Sequence, residues 1–229
     1  MRDFISVSPL KILEKSSRKG LGPGNLGVLI ARAGVGKTTF LINIAFDKLF
    51  GRKKLVHISL EEGPDKVRSY YNVIYSDLAK TLDLTENHLI HIERDRMILA
   101  YVNQSFEIER LRANVKNLIE NIQFRPDVLI LDGLDFEKAG RTIFEGLKEI
   151  AKEFEVEIWL SALSHRHIDE INERGIPYPC HELDDLFSII IQLRPEQSVI
   201  FLQLLKDHDN PMIRDISIRV DPNTFLALD

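Results

Sequence analysis

Apolar residues in this chain follow two patterns. Short, mostly apolar runs at residues 26–30, 54–60, 127–132 and 156–161 have the length and β-branched content of buried strands. Between them, apolar positions recur at spacings of three and four: Val67, Tyr71, Ile74 and Leu78; Ile108, Leu111, Val115, Leu118 and Ile122; Ile143, Leu147, Ile150 and Phe154. That period lines one face of a helix. A further helix is predicted from Lys37 to about residue 50, and a third strand over residues 88–93. Strand alternating with helix up to residue 161 predicts an α/β fold with a mostly parallel central sheet flanked by helices. At the front, a helix is predicted over 8–19, with Ser8 as its N-cap and Pro9 at its first position. A glycine-rich turn then runs from Gly20 to Asn25.

Beyond residue 161 the pattern changes. Residues 164–185 are polar and irregular, with Gly175, Pro177 and Pro179. Three β-rich runs follow at 187–193, 199–205 and 215–220, and short turns between them predict antiparallel strands that extend the sheet. Residues 225–228 are predicted to add a last strand. The expected organisation is one domain over 1–229. It comprises an N-terminal helix and turn (1–25), a parallel α/β core (26–161), an irregular loop (162–186) and a β-rich extension (187–229).

The segment Ala31-Arg32-Ala33-Gly34-Val35-Gly36-Lys37-Thr38-Thr39 lies between the first strand and the helix that follows it. Strand, glycine turn and helix in this order are the context a phosphate-binding loop requires. Gly34 and Gly36 let the backbone turn tightly, so that its N–H groups and the positive end of the helix attract phosphate oxygens. The expected nucleotide contacts are Ala33, Gly34, Val35, Gly36, Lys37, Thr38 and Thr39. Lys37 would reach the β- and γ-phosphates of a nucleotide, and the Thr38 hydroxyl would hold Mg²⁺. Ala31 stands where the strict pattern has glycine, which removes one permissive position.

Two strand ends supply acids. Residues 128–132 end in Asp132, which in a nucleotide-binding sheet would hold the Mg²⁺ shell through water. Asp135, close behind, is expected to cap the next helix. His57-Ile58-Ser59-Leu60-Glu61-Glu62-Gly63 ends the second strand with paired carboxylates, at the edge of an open sheet that faces the ligand crevice. A glutamate placed there can orient and deprotonate an attacking water.

These segments together resemble the RecA superfamily of P-loop ATPases, in the branch of KaiC-like clock ATPases and DnaB-like helicase motors. Ser59-Leu60-Glu61 is similar to the helicase pattern, and Glu61-Glu62-Gly63-Pro64 to the paired glutamates of KaiC-like proteins. Leu160-Ser161-Ala162-Leu163-Ser164 resembles the helicase Leu-Ser-Gln-Leu-Ser strand end. Leu205-Lys206-Asp207-His208 resembles the family's late Lys-x-Arg element. The resemblance covers nearly the whole chain and is most specific in the first half. It implies a RecA-like fold, Glu61 as catalytic base with Glu62 its partner, and a catalytic Lys206. It also implies a finger at Lys206 and His208 that reaches into a neighbouring subunit of a homo-oligomer, with a ring as one form. Residues 162–186 would be a partner-binding loop. The implied function is an ATP-binding, ATP-hydrolysing switch of low basal rate that signals to an unidentified protein partner through conformation or assembly. The alternative is a DNA-associated motor or a recombination or repair accessory. Two departures bear on this. Ala162 replaces the glutamine that senses the γ-phosphate, and His208 replaces an arginine whose permanent charge can contribute about 10³–10⁵ in rate.

Composition narrows the remaining classes. The formal charge of −5 gives no general drive toward nucleic acid. No apolar run is long enough to span a membrane, and the first residues lack a secretory pattern, so the expected setting is cytoplasmic. Cys180 is the single cysteine and is read as a structural thiol. His165, His167, Cys180 and His181 match no tight metal spacing. Within residues 164–182, His165, Arg166 and His167 are accompanied by Asp169, Glu170, Glu173 and Glu182. These acids cancel much of the charge a phosphate backbone would meet. Fluorescence titration with single- and double-stranded DNA at physiological salt is therefore expected to show weak binding without sequence preference. Sub-micromolar affinity that falls steeply with added salt would favour the motor reading.

Overall fold

Strand β1 (Leu26–Arg32) is buried along all but its last residue. It pairs in parallel on both sides, with β5 (Glu157–Ser164) and with β6 (Phe187–Glu196). A strand with neighbours on both edges and helices on both faces has no wet side, which is why it reads as a continuous apolar run. Outward from β5 lie β4 (Val128–Asp132), β2 (Leu55–Ser59) and β3 (Arg96–Ala100), all parallel. On the other side β7 (Val199–Asp207) and β8 (Ser217–Val220) pair antiparallel. The eight-stranded order is β3-β2-β4-β5-β1-β6-β7-β8. The computed structural model describes residues 4–16, 20–82, 84, 86–101, 106–165, 168–210 and 216–228.

Helices cover both faces. On one lie α1 (Phe4–Val7), α2 (Pro9–Ser16), α3 (Lys37–Phe50), α4 (Pro64–Leu82) and α5 (Glu86–Arg94), over a core that includes Phe40, Phe46, Tyr71 and Trp159. On the other lie α6 (Ile108–Glu120) and α7 (Arg141–Phe154), over a core that includes Leu111, Phe144, Leu147 and Phe187. Gly27 on β1 makes room for the fully buried Trp159, since a Cβ there would stand 2.6 Å from its ring. The chain leaves β1 through α3 on one face and enters β5 through α7 on the other. Such a reversal opens a crevice at the carboxyl ends of the strands.

The predicted helices at 37–50, 67–78, 108–122 and 141–154 and the core strands are present. The expected strand at 88–93 is instead α5. Leu89 and Ile92 pack toward the core while Ile90 is exposed, a three-residue period rather than alternation. The third strand is β3, whose apolar residues follow the charged Arg94, Asp95 and Arg96. The N-terminal helix is two pieces, with α2 starting at Pro9. Lys11 N–H donates to Ser8 Oγ at 3.3 Å, as expected of an N-cap, and residues 17–19 lie outside the described residues. β5 continues to Ser164. Of the three C-terminal runs, the first joins β1 in parallel and the other two are antiparallel. Residues 225–228 form no full strand and make one bridge, Val220 with Ala227. Asp135 does not cap α7. Its Oδ1 accepts from the backbone of Glu137 (3.1 Å) and Lys138 (3.3 Å) in the turn before the helix, whose N-cap position is Gly140. Among the described residues no helix is long and apolar enough to cross a membrane.

His57 on β2 is buried and its Nδ1 lies 3.1 Å from the hydroxyl of Tyr71 on α4. Arg96 stacks over the Tyr71 ring at 4.1 Å. His57 Nε2 has no hydrogen-bond partner among the described residues. Burial pushes the imidazole down to about 4 from 6.5. Arg96 acts in the same sense and Asp132 against it. The unfolded chain therefore binds the proton more tightly between these values. Stability from keeping His57 neutral is complete above pH 6.5 and is lost as the pH falls toward 4. Urea unfolding at pH 7 and pH 5 is expected to differ by about 2 kcal/mol more in wild type than in His57→Gln.

Candidate active site

The carboxyl ends of β1, β2, β4 and β5 meet at the start of α3. The chain leaves β1 and turns through Ala33, Gly34, Val35 and Gly36, with φ of +76° at Gly34 and +97° at Gly36. Both values lie in the left-handed region that glycine enters without strain. Gly36 is the N-cap of α3 and supplies no side-chain cap. The first-turn N–H groups are thus left to whatever enters the space in front of them. That space is a cavity of about 530 Å³ lined by Gly34, Gly36, Lys37, Thr38, Glu61 and Asp132, among others.

Asp132, at the end of β4, is held on both oxygens. Thr38 Oγ1 donates to Oδ2 at 2.7 Å, and Ser161 Oγ on β5 donates to Oδ1 at 2.7 Å. A half-buried carboxylate needs such donors. Lys37 follows Gly36 into the cavity. Desolvation draws its amine below the ordinary lysine range, while Asp132 and Glu61 push the other way. Among the described residues lining this cavity, Lys37 is the one lysine or arginine, against the carboxylates of Glu61, Asp132, Asp135 and Glu137.

The two glutamates after β2 are not equivalent. Glu61 lines this cavity and also a second one of about 520 Å³ between α3 and α4. Glu62 lines the second alone. Its N–H donates to Ser59 Oγ at 2.9 Å, and its Oε1 accepts from the Tyr70 hydroxyl at 3.4 Å. Glu61 comes close to the main chain after β4. Gly133 has φ of +86°, and a Cβ there would stand 2.7 Å from Glu61 Cγ. The second cavity shares Thr38, Glu61 and Asp132 with the first, and adds Thr39, Ile42 and Tyr70.

Other expected residues fall elsewhere. Ala162 is buried in the α6–α7 core, and Ser161 and Leu163 are the neighbours that reach the cavity, because side chains alternate along β5. Lys206 and His208 do not line either cavity. Lys206 sits opposite Ile190 on β6, which pairs with Val28, several residues short of the loop end of β1. Lys206 Nζ donates to the Asp184 carbonyl. His208 Nδ1 lies 2.9 Å from Asp207 Oδ1, and Nε2 3.2 Å from the Leu21 carbonyl. Within one chain neither reaches Lys37 or Glu61. On the cavity rim, His165 Nε2 lies 2.9 Å from Glu137 Oε1; Arg166 and His167 lie outside the described residues. Cys180 is buried, and burial pushes its thiol up. Sequence reasoning missed Ser161, Tyr70, Gly133 and the His165–Glu137 pair. A Ser at a strand end and a Gly directly after Asp132 were the available signals.

No protein-family model matches this chain, and no curated protein matches it.

Gly34 and Gly133 share a left-handed backbone but differ in surroundings, since a Cβ at Gly34 would meet nothing within 4 Å among the described residues. Gly34→Ala is expected to cost about 1–2 kcal/mol from backbone strain alone. Gly133→Ala is expected to cost more, because the added methyl must also displace Glu61. Urea unfolding of the two variants checks this, and equal losses would mean that Glu61 is free to move aside.

Proposed function

We propose that this chain binds ATP with Mg²⁺ and hydrolyses it slowly, as a RecA-like P-loop switch. The observation that carries this reading is the 2.7 Å contact of Thr38 with Asp132 at the mouth of a glycine loop, in a cavity that also holds Lys37 and Glu61. The triphosphate would lie against the N–H groups at Gly34, Gly36 and the start of α3, with Lys37 donating to the terminal phosphates. A hydroxyl beside a carboxylate is a hard oxygen pair that suits Mg²⁺, with phosphate and water completing the shell. Bound there, Mg²⁺ would offset phosphate charge in a cavity where acids outnumber the one lysine.

Glu61 would take the proton from the attacking water. It faces the loop cavity, whereas Glu62 is turned toward Ser59 and Tyr70, which supports Glu61 as the base and Glu62 as a support. Asp132 keeps Thr38 and Ser161 oriented. The cavity between α3 and α4 offers the Tyr70 ring and Ile42 beside Thr39, an aromatic and aliphatic wall suited to the flat faces of a base. Turnover would be slow because no arginine lines the loop cavity among the described residues. Lys206 and His208 could act only on a site in another copy, so a finger role requires a homo-oligomer, and the output of the switch would be conformation or assembly read by a protein partner.

Calorimetry with MgATP is expected to show binding by wild type, sharp loss in Lys37→Ala, and loss in wild type when EDTA removes Mg²⁺. Equal affinity in wild type and Lys37→Ala would overturn the loop assignment. Glu61→Gln is expected to keep ATP affinity and to lower steady-state phosphate release by about 10²-fold. A larger effect from Glu62→Gln would move the base by one residue.

A further inference from the structure

After Val220 the chain makes a tight hook that returns to the glycine loop. The Asp221 carboxylate accepts from the N–H groups of Asn223 (2.9 Å) and Thr224 (2.8 Å) and from the Thr224 hydroxyl (3.1 Å). Phe225 N–H donates to the Asp221 carbonyl at 2.8 Å, and Asp221 N–H to the Leu226 carbonyl at 2.9 Å. The hook is anchored to the N-terminal helices by Ala227 N–H on the Val7 carbonyl (2.9 Å), and to β8 by Leu228 N–H on the Arg219 carbonyl (2.8 Å).

Phe225, at the turn of the hook, has φ of +53°. A bulky aromatic residue rarely adopts this conformation, and it persists only where the surroundings impose it. Here it drives the ring inward. Phe225 is 2% exposed and meets Phe40 of α3 edge-on, with ring centroids 5.8 Å apart. Its far end reaches the loop, since a Cβ on Gly36 would stand 2.5 Å from Phe225 Cζ. The ring thus occupies the place where any side chain at position 36 would go. Gly36 is also the residue whose φ of +97° aims the first turn of α3 at the cavity.

We infer that Phe225 is a positioning residue for the phosphate loop: its ring braces Gly36 and so fixes the direction of the N–H groups at Lys37 and Thr38. This rests on the proposed binding of ATP phosphates at that loop. Phe225 lines neither cavity and touches no ligand; it acts through Gly36. Coupling of this kind is reciprocal. A hook that orders the loop is itself ordered by whatever the loop binds, so the C-terminal hook and the N-terminal helices tied to it become a part of the chain that responds to nucleotide.

The test is MgATP calorimetry on wild type, Phe225→Leu, Asp221→Ala and Phe124→Leu, with urea unfolding of each. Phe225→Leu keeps an apolar side chain but withdraws the ring from Gly36, and its Kd is expected to rise about tenfold, the scale of a small misplacement of binding groups. Asp221→Ala loosens the hook without touching the ring, and a rise of about threefold is expected. Phe124 is buried beside Lys54 at the amino end of β2, away from the loop. Phe124→Leu should lose stability and keep its affinity. Amide exchange over residues 217–228 should slow on adding MgATP in wild type and not in Phe225→Leu. Unchanged affinity in Phe225→Leu, or an equal loss in Phe124→Leu, overturns the inference. If Phe225→Leu does not fold, unchanged affinity in Asp221→Ala overturns it. Wild type that binds no MgATP, or Lys37→Ala that binds as well as wild type, removes the ATP reading and this inference with it. Binding that needs Lys37 but ignores Phe225 and Asp221 removes this inference alone.

Discussion

The hydrogen bond from Thr38 to Asp132 is the interaction on which the site depends. It joins the first turn of α3 to the end of β4, across the intervening β5, and Ser161 of β5 closes the set from the other oxygen. Three elements far apart in sequence are thereby held at one carboxylate. A carboxylate in this half-buried position would be costly without donors, so the hydroxyls and the acid stabilise one another. The position of Lys37 follows, since it is the residue before Thr38 on the same turn. Its amine is drawn down by burial and sustained by Asp132 and Glu61, which makes it an electrostatic partner of the same cluster.

Close approach at two glycines sets the remaining geometry. Gly133 lets Glu61 lie against the main chain beyond β4, and Gly36 lets the Phe225 ring lie against the loop. Both residues have left-handed backbones, so each serves twice: it turns the chain and leaves room for a side chain from elsewhere. The catalytic glutamate of the proposed ATPase and the C-terminal hook are in this sense mounted on the same small set of turns.

The acidic balance of the loop cavity also shapes the proposed chemistry. Several carboxylates against one lysine would repel a bare triphosphate, so in the proposed function Mg²⁺ would be needed for binding as well as for turnover. In the proposed reaction, a cavity lined by no arginine among the described residues would have little to stabilise charge developing on the phosphates. This is the physical reason for proposing slow, switch-like hydrolysis rather than a fast motor.

Local pattern determined much of this protein. The apolar runs and the three-and-four spacings specify the parallel core and its helices, and the segment from Ala33 to Thr39 announces its loop through two glycines between a strand and a helix. Local pattern misled at residues 88–93, where a short apolar stretch fits either period and helix packing on the core decided for α5. Tertiary structure alone decided what meets at the site. Ser161 reaches Asp132 because parallel pairing puts β5 beside β4. Glu61 rather than Glu62 faces the loop because Ser59 and Tyr70 hold Glu62 toward α4. Lys206 and His208 fall outside both cavities because β7 runs antiparallel to β6, which carries them toward the opposite end of the sheet from the loop. Phe225 reads as a strand residue in sequence, yet its ring ends against Gly36, a contact between distant segments that no local period encodes. Hydrophobic period is a property of neighbours along the chain, whereas a site is a property of neighbours in space.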